Sequence, residues 1–280
     1  MTPPKTGLPY SERFEEGFAI PEPALALIQE RLSKAEEENQ VKILYACETG
    51  SRGWGFASAD SDFDVRFVYV HEQDWYLCVA PDEKRDVLEP GIENTHAGEL
   101  DINGWDLRKS LNLFRKSNPG LLEWLSSPSV YRERGIFAPS LREAAIKTAS
   151  PIRLWHHYRG AMESCITRYQ DGRATIKAWF YIMRPLLAMR WIEMEKGVPP
   201  MRFDRLMDGV IEDKGLREEL DRLVALKRSR RESDDFAPPS LISSWVESET
   251  RRLKENPPEL LPAKEKAEVD SLFREILTGS

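Results

Sequence analysis

The sequence predicts an α+β protein in which strands and helices alternate over the first half and helices alone make up the second. Three observations predict this. The short runs rich in strand formers all precede residue 106, Gly, Pro and Asp residues punctuate them, and from Pro151 onward the apolar residues recur at helical spacing. With 280 residues, about twice the length of a typical domain, the chain is expected to hold two domains, 1–150 and 151–280, divided at Ser150–Pro151.

Pro23 stands one place inside a helix start, and Leu25, Ile28 and Leu32 then follow at helical spacing until charge takes over. Val41 to Cys47 is short, apolar and followed by the Gly50–Ser51 turn signal, which reads as a buried strand. Asp62 to Val70 alternates with period two, so Asp62, Asp64, Arg66, Val68 and Val70 share one face and Phe63, Val65, Phe67 and Tyr69 the other. Trp75 to Ala80 and Glu99 to Trp105 are read as further strands with a polar loop between them. Asp106 caps a helix through Lys116, and Asn118–Pro119 opens another that turns Leu121, Leu122 and Leu125 inward. Beyond Pro151 the amphipathic segments reach Leu277, with turns at Pro238–Pro239 and Pro257–Pro258.

Composition excludes several classes. Hydrophobic residues at 41% and charged residues at 31% rule out a disordered or collagen-like chain. No run of eighteen apolar residues occurs and the opening residues lack a signal-peptide pattern, so no membrane partner is expected and the cytoplasm is the expected location. Cys47, Cys78 and Cys165 are too scattered for a disulfide framework or a thiolate zinc site. The net charge of −7 argues against a protein that coats long nucleic acid, although residues 151–280 carry 23 basic and 22 acidic side chains and so escape the acid excess.

The chemistry concentrates between Gly50 and Arg66. Asp62 and Asp64 occupy alternate strand positions with Cα atoms about 6–7 Å apart, so their oxygens can converge on metal ions about 3.5–4 Å apart. Magnesium suits such a pair because it retains waters and takes further oxygens from a phosphate substrate. Upstream, Gly50 and Ser51 follow a strand and precede a short helix, where backbone N–H groups and a hydroxyl can hold a terminal phosphate, with Arg52 placed to add charge.

A strand, Gly-Ser, ten residues and then Asp-hydrophobic-Asp-hydrophobic resembles the signature of the DNA polymerase beta superfamily of nucleotidyltransferases. The wording GSRGWGFASADSDFDVRF, with DINGWDLRKSLNLFRKSNPGLLEWLSSPSVY and KAWFYIMRPLLAMRW, resembles the RlaP type, the RNA-ligase-associated polymerases, over most of residues 40–210. The resemblance implies a small mixed sheet with flanking helices, then a helical domain that closes over a nucleoside triphosphate. It implies a third carboxylate on a following strand, for which Leu100-Asp101-Ile102 supplies Asp101; Asp106 is the rival, with the simpler duty of helix cap. Asp62, Asp64 and Asp101 would then hold two Mg2+ ions, or Mn2+, and catalyse in-line transfer of a nucleoside monophosphate to a hydroxyl with release of pyrophosphate. The family name suggests an RNA end as that hydroxyl. Transfer of AMP to a protein or small molecule, and a non-catalytic nucleotide-binding partner of an RNA-repair system, are the competing readings. In the same light Lys177, Tyr181 and Arg184, at i, i+4 and i+7 on an otherwise apolar helix, could meet a phosphate or base, or form an ion-paired contact with the first domain.

Other patterns take plainer readings. Asp60 to Asp64 lacks the Gly and Glu that a calcium loop needs where Val65 and His71 stand. Arg52 and Arg66 could be surface charges, Gly53 and Gly55 simply shape a turn, and adjacent His156 and His157 do not share a helix face. Lys227 to Arg231 reads as a solvated basic face.

Overall fold

The first helix, α1 (Glu22–Asn39), begins where Pro21 and Pro23 preset the backbone and ends where Gln40 turns left-handed and donates its N–H to Glu36 O. Its buried residues Ala24, Ile28, Leu32 and Ala35 lie four, four and three apart, one face of a helix. The chain then enters β1 (Val41–Glu48), α2 (Gly50–Trp54), β2 (Phe63–His71), α3 (Gln73–Tyr76), β3 (Val87–Thr95) and β4 (Gly98–Asp106). There follow α4 (Leu107–Arg115), α5 (Pro119–Leu125), β5 (Val130–Glu133) and α6 (Phe137–Thr148). The helices α7 (Pro151–Arg168), α8 (Ile176–Glu193), α9 (Phe203–Val210), α10 (Lys214–Ser229), α11 (Ser240–Glu255) and α12 (Asp270–Thr278) complete the chain. This computed structural model describes residues 20–58, 60–80, 85–95, 98–168, 175–229, 236–255, 257–263 and 265–279.

The protein is α+β, with one five-stranded mixed sheet in the order β3-β4-β2-β1-β5. Among the described residues only β2 and β4 run parallel, in the register Phe63↔Leu100, Asp64↔Asp101 and Val65↔Ile102. Phe63, Val65, Phe67 and Tyr69 of β2 join Leu100 and Ile102 of β4 in a core that α1 covers. Val68 and Val70 point the other way, into a larger core shared with α4 to α8. The alternation read from the sequence over residues 62–70 therefore divides the two cores. A register shift between Ile43 and Tyr45 in β1 places Leu44 and Tyr45 together on the helix-covered side, while Ile43 and Ala46 face α1.

Three strand assignments differ from the sequence reading. Trp75 to Ala80 is no strand: Gln73–Tyr76 forms a helical turn, and β1 and β4 occupy both sides of β2. Trp75 stacks on His71 at 3.9 Å between centroids instead, and the Tyr76 hydroxyl donates to Asp106 Oδ2 at 2.6 Å. The segment read as a polar loop contains β3, an edge strand that tolerates Pro90 and Gly91 because its register shifts between Leu88 and Gly91. The second edge is β5, four residues that the sequence pattern did not mark. Among the described residues after Pro151 every regular element is a helix, and Pro238–Pro239 and Pro257–Pro258 flank α11 as read.

Gly104 lies opposite Phe67 across the parallel ladder. A Cβ there would stand 2.1–2.5 Å from the Phe67 ring, which is fully buried. Gly104→Ala is expected to cost about 3 kcal/mol through overpacking, read as a lower urea midpoint at unchanged m-value.

Candidate active site

The sheet places the expected carboxylates where β2 and β4 begin and β1 ends. Phe63 and Leu100 are paired and buried toward α1, so Asp64 and Asp101, the next pair in the register, project together to the other side. Arg66, two residues along β2, links them: Nη2 donates to Asp101 Oδ2 at 2.7 Å and to Asp64 Oδ1 at 3.3 Å. Its Nη1 donates at 3.0 Å to Val65 O and Asp101 O, so the guanidinium also staples β2 to β4. Arg66, read from the sequence as a surface charge, lies between the two carboxylates.

Asp62 precedes β2, and its Oδ1 accepts the Glu99 N–H at 3.2 Å. Its charge reaches Asp64, whose carboxyl is raised above the ordinary range first by burial. Arg66 opposes that rise, Asp101 and Asp62 add to it, and Lys177 opposes it again. Asp106 sits at the far end of β4 and caps α4, accepting from Arg108 N at 2.8 Å and Lys109 N at 3.4 Å. Asp101, and not Asp106, thus lies beside Asp64.

The expected phosphate loop is the sharp bend from β1 into α2. Gly50 has φ of 57°, and a Cβ on it would stand 1.9 Å from Asp64 Oδ2. Only glycine allows the loop to lie against that carboxylate. The Thr49 N–H and hydroxyl both donate to Asp64 O, at 2.8 and 2.9 Å, which fixes the loop to β2. Ser51 is the second residue of α2, and its carbonyl accepts from Gly55 and Phe56. Arg52 is engaged by protein: Nε donates to Asp62 O at 3.1 Å, Nη2 to Ser61 O at 2.7 Å, and its guanidinium lies 4.0 Å from the Phe63 ring centroid. It therefore shapes the loop that carries Asp62.

The polar stripe of α8 runs along α2. Lys177 bears electrostatically on Asp64. The Tyr181 ring meets Trp54 edge-on with centroids 5.0 Å apart, and the Arg184 guanidinium lies 4.7 Å from the Trp54 ring centroid. Arg184 is buried, pairs with Glu123 at 2.9 Å and donates to Met201 O, the ion-paired interhelical contact of the two readings.

Two features escaped the sequence reading. Glu48 closes β1 as a fully buried acid, with Oε1 accepting the Asp64 N–H at 2.8 Å and Oε2 the Tyr131 hydroxyl. A charged residue ending an apolar strand directly before a Gly-Ser turn was the available signal. Lys227 is fully buried with Nζ 3.2 Å from Ser58 Oγ, and Arg228 donates to Gly55 O at 2.8 Å. The expected solvated face therefore packs, at these two residues, on the loop after α2; Arg230 and Arg231 lie outside the described residues.

Burial pushes the Glu48 carboxyl up from 4.5 to about 7, against the hydrogen bonds from Tyr131 and Asp64 that favour its ionised form. Between those pH values the folded chain keeps a proton that the unfolded chain releases, so stability falls as pH rises through the window and levels above it. A shift of this size is worth about 3 kcal/mol. Glu48→Gln is expected to remove that part of the slope, measured as the difference between urea unfolding free energies of the metal-free protein at pH 5 and pH 7.5.

Among the described residues, no group of three or more His, Cys, Asp and Glu side chains is arranged to hold a metal ion. Two facing carboxylates, Asp64 and Asp101, are present, with a guanidinium balancing their charge. That donor set suits Mg2+, which takes one or two carboxylates and completes its shell with water and phosphate oxygens. No helix among the described residues is long and apolar enough to cross a membrane.

The model of the RlaP family, described as the RNA repair pathway DNA polymerase beta family, matches residues 26–275. The uncharacterized protein YcgL of Bacillus subtilis (strain 168) is 42% identical over 234 residues, which cover 83% of this chain and 88% of that protein. A solved nucleotidyltransferase-like protein from Exiguobacterium sibiricum 255-15 aligns over 90% of this chain and 87% of its own, with 11% identity and a TM-score of 0.29. With a likeness that slight, the fold rests on the strand order and register of this chain alone.

Proposed function

Since the chain belongs to the RlaP family, the RNA repair pathway DNA polymerase beta family, its function is of nucleotidyltransferase type, and we propose a magnesium-dependent transfer of a nucleoside monophosphate from a triphosphate to an RNA end. The observation that carries this reading is the Asp64–Asp101 pair, held on one face of two parallel strands and against the Gly50 loop. Mg2+ held by Asp64 and Asp101, with Asp62 beside them, would supply neutralisation of triphosphate charge.

The chain's own groups have separable parts in this proposal. The Gly50–Ser51 turn cradles the outer phosphates, and Lys177 adds positive charge beside Asp64. Tyr181 and Trp54 form an aromatic wall next to the loop. The acceptor oxygen attacks the α-phosphorus, a new P–O bond forms, and the bond to the β-phosphate breaks to release pyrophosphate. Asp101 takes the hydroxyl proton. Residues 151–280 act as the helical domain that covers the nucleotide, through α8 on one side and the Lys227–Arg228 contact of α10 on the other. We place the reaction in the cytoplasm, where Cys47, Cys78 and Cys165 would remain free thiols.

The test supplies each of the four α-labelled triphosphates with Mg2+ to the protein together with cellular RNA, protein and small-molecule pools. Label on RNA with pyrophosphate release is the expected result. Label on protein or a small molecule would replace the acceptor, and neither label nor pyrophosphate would contradict the reading.

A further inference from the structure

Glu48 is anchored on every side. Its N–H donates to Ser129 O at 2.9 Å, its carbonyl accepts from Ser127 Oγ at 2.6 Å, and its carboxylate divides between the Asp64 N–H and the Tyr131 hydroxyl of β5. Thr49, the next residue, holds the Asp64 carbonyl. Glu48, the last residue of β1, and Thr49, which follows it, thus take both main-chain polar groups of Asp64. An acid is an expensive way to satisfy one buried N–H, since an unpaired or ionised carboxylate away from water is costly. An apolar residue would do for the core alone.

From this we propose that Glu48, oriented by Tyr131, is a positioning residue that fixes the backbone from which the Asp64 carboxylate projects; the proposal rests on the nucleotidyl-transfer reading of the Asp64 site. The contact between Gly50 and Asp64 leaves that carboxylate little room, so its aim is set by its own main chain. Glu48 is fully buried, so its part is to position Asp64 and not to meet the reacting atoms. Misplacement of a reacting group by about 1 Å costs on the order of 10²-fold in rate.

Two readouts test this. In pyrophosphate release with ATP, Mg2+ and total cellular RNA, Glu48→Ala is expected to lower kcat about 100-fold with KM for ATP within about threefold. Glu48→Gln keeps an acceptor for the Asp64 N–H and can donate to the Tyr131 oxygen, so it should recover to within about tenfold of the wild type. Leu32→Ala, in the core under α1, serves as a control of reduced thermal stability and should keep its kcat. In hydrogen exchange, which needs no turnover, the Asp64 amide should exchange at least about tenfold faster in Glu48→Ala and near the wild-type rate in Glu48→Gln. Unchanged Asp64 exchange in Glu48→Ala would overturn the proposal, as would a Glu48→Gln rate as low as that of Glu48→Ala. A wild type that exchanges as expected but releases no pyrophosphate would instead sink the transfer reading and leave Glu48 as the anchor of Asp64.

Discussion

Asp64→Ala is expected to reduce pyrophosphate release by about 10³-fold or more while leaving thermal stability within a few degrees of the wild type. Loss of a carboxylate that steadies charge at a phosphoryl centre removes several kcal/mol of transition-state stabilisation, and about 4 kcal/mol is a thousandfold. Stability should hold because burial already disfavours the ionised Asp64 side chain, and Arg66 keeps its 2.7 Å partner Asp101. Parallel activity assays and thermal melts check both halves. Release unaffected by the substitution would remove the chemistry from this site.

Gly50→Ala is expected to have the second-largest effect, a loss of activity of about 10²-fold or more with destabilisation of about 1–3 kcal/mol. Two costs coincide at this residue. The left-handed backbone, with φ of 57°, is unfavourable for any side chain, and the added Cβ would sit 1.9 Å from Asp64 Oδ2. Either the loop or the carboxylate must move, and each shift separates the phosphate cradle from Asp64. Gly135→Ala provides the comparison: its φ is 64°, but a Cβ there meets nothing within 4 Å. It should show a stability loss without the loss of activity, and equal activity losses would contradict this account of Gly50.

The parts of the fold legible in the sequence are those where one residue's chemistry decides its place. Alternation over residues 62–70 marked the two faces of β2, because a strand between two cores must turn successive side chains to opposite sides. Asp106 and Asn118 announced the starts of α4 and α5, and both side chains accept the N–H bonds that a cap requires. The edge strands were hidden for the opposite reason. Pro90 and Gly91 weaken a strand signal that only pairing with β4 restores, and β5 is too short for a period to appear. Trp75 to Ala80 carries strand formers, but β1 and β4 occupy both sides of β2 and Trp75 stacks on His71, so tertiary context overrode propensity.

That Asp64 and Asp101 would lie on neighbouring strands was readable from local pattern and family resemblance, whereas the contacts made around them and on the loop after α2 were not. Glu48, Arg66 and Lys227 act across 16, 35 and 169 residues of sequence, on Asp64, Asp101 and Ser58 respectively. No local spacing encodes such distances. Arg184 shows the reverse: its place in a polar stripe suggested a ligand, and a glutamate on α5 satisfies it.

The account turns on Asp64 and Asp101 sharing a divalent cation beside the Gly50 loop. Anomalous diffraction from crystals grown with Mn2+ and a non-hydrolysable triphosphate tests this most directly. The expected result is an anomalous peak about 2.1 Å from oxygens of both Asp64 and Asp101, with phosphate oxygens completing its shell. Manganese and triphosphate bound elsewhere, with Arg66 still clamped between the two carboxylates, would contradict it.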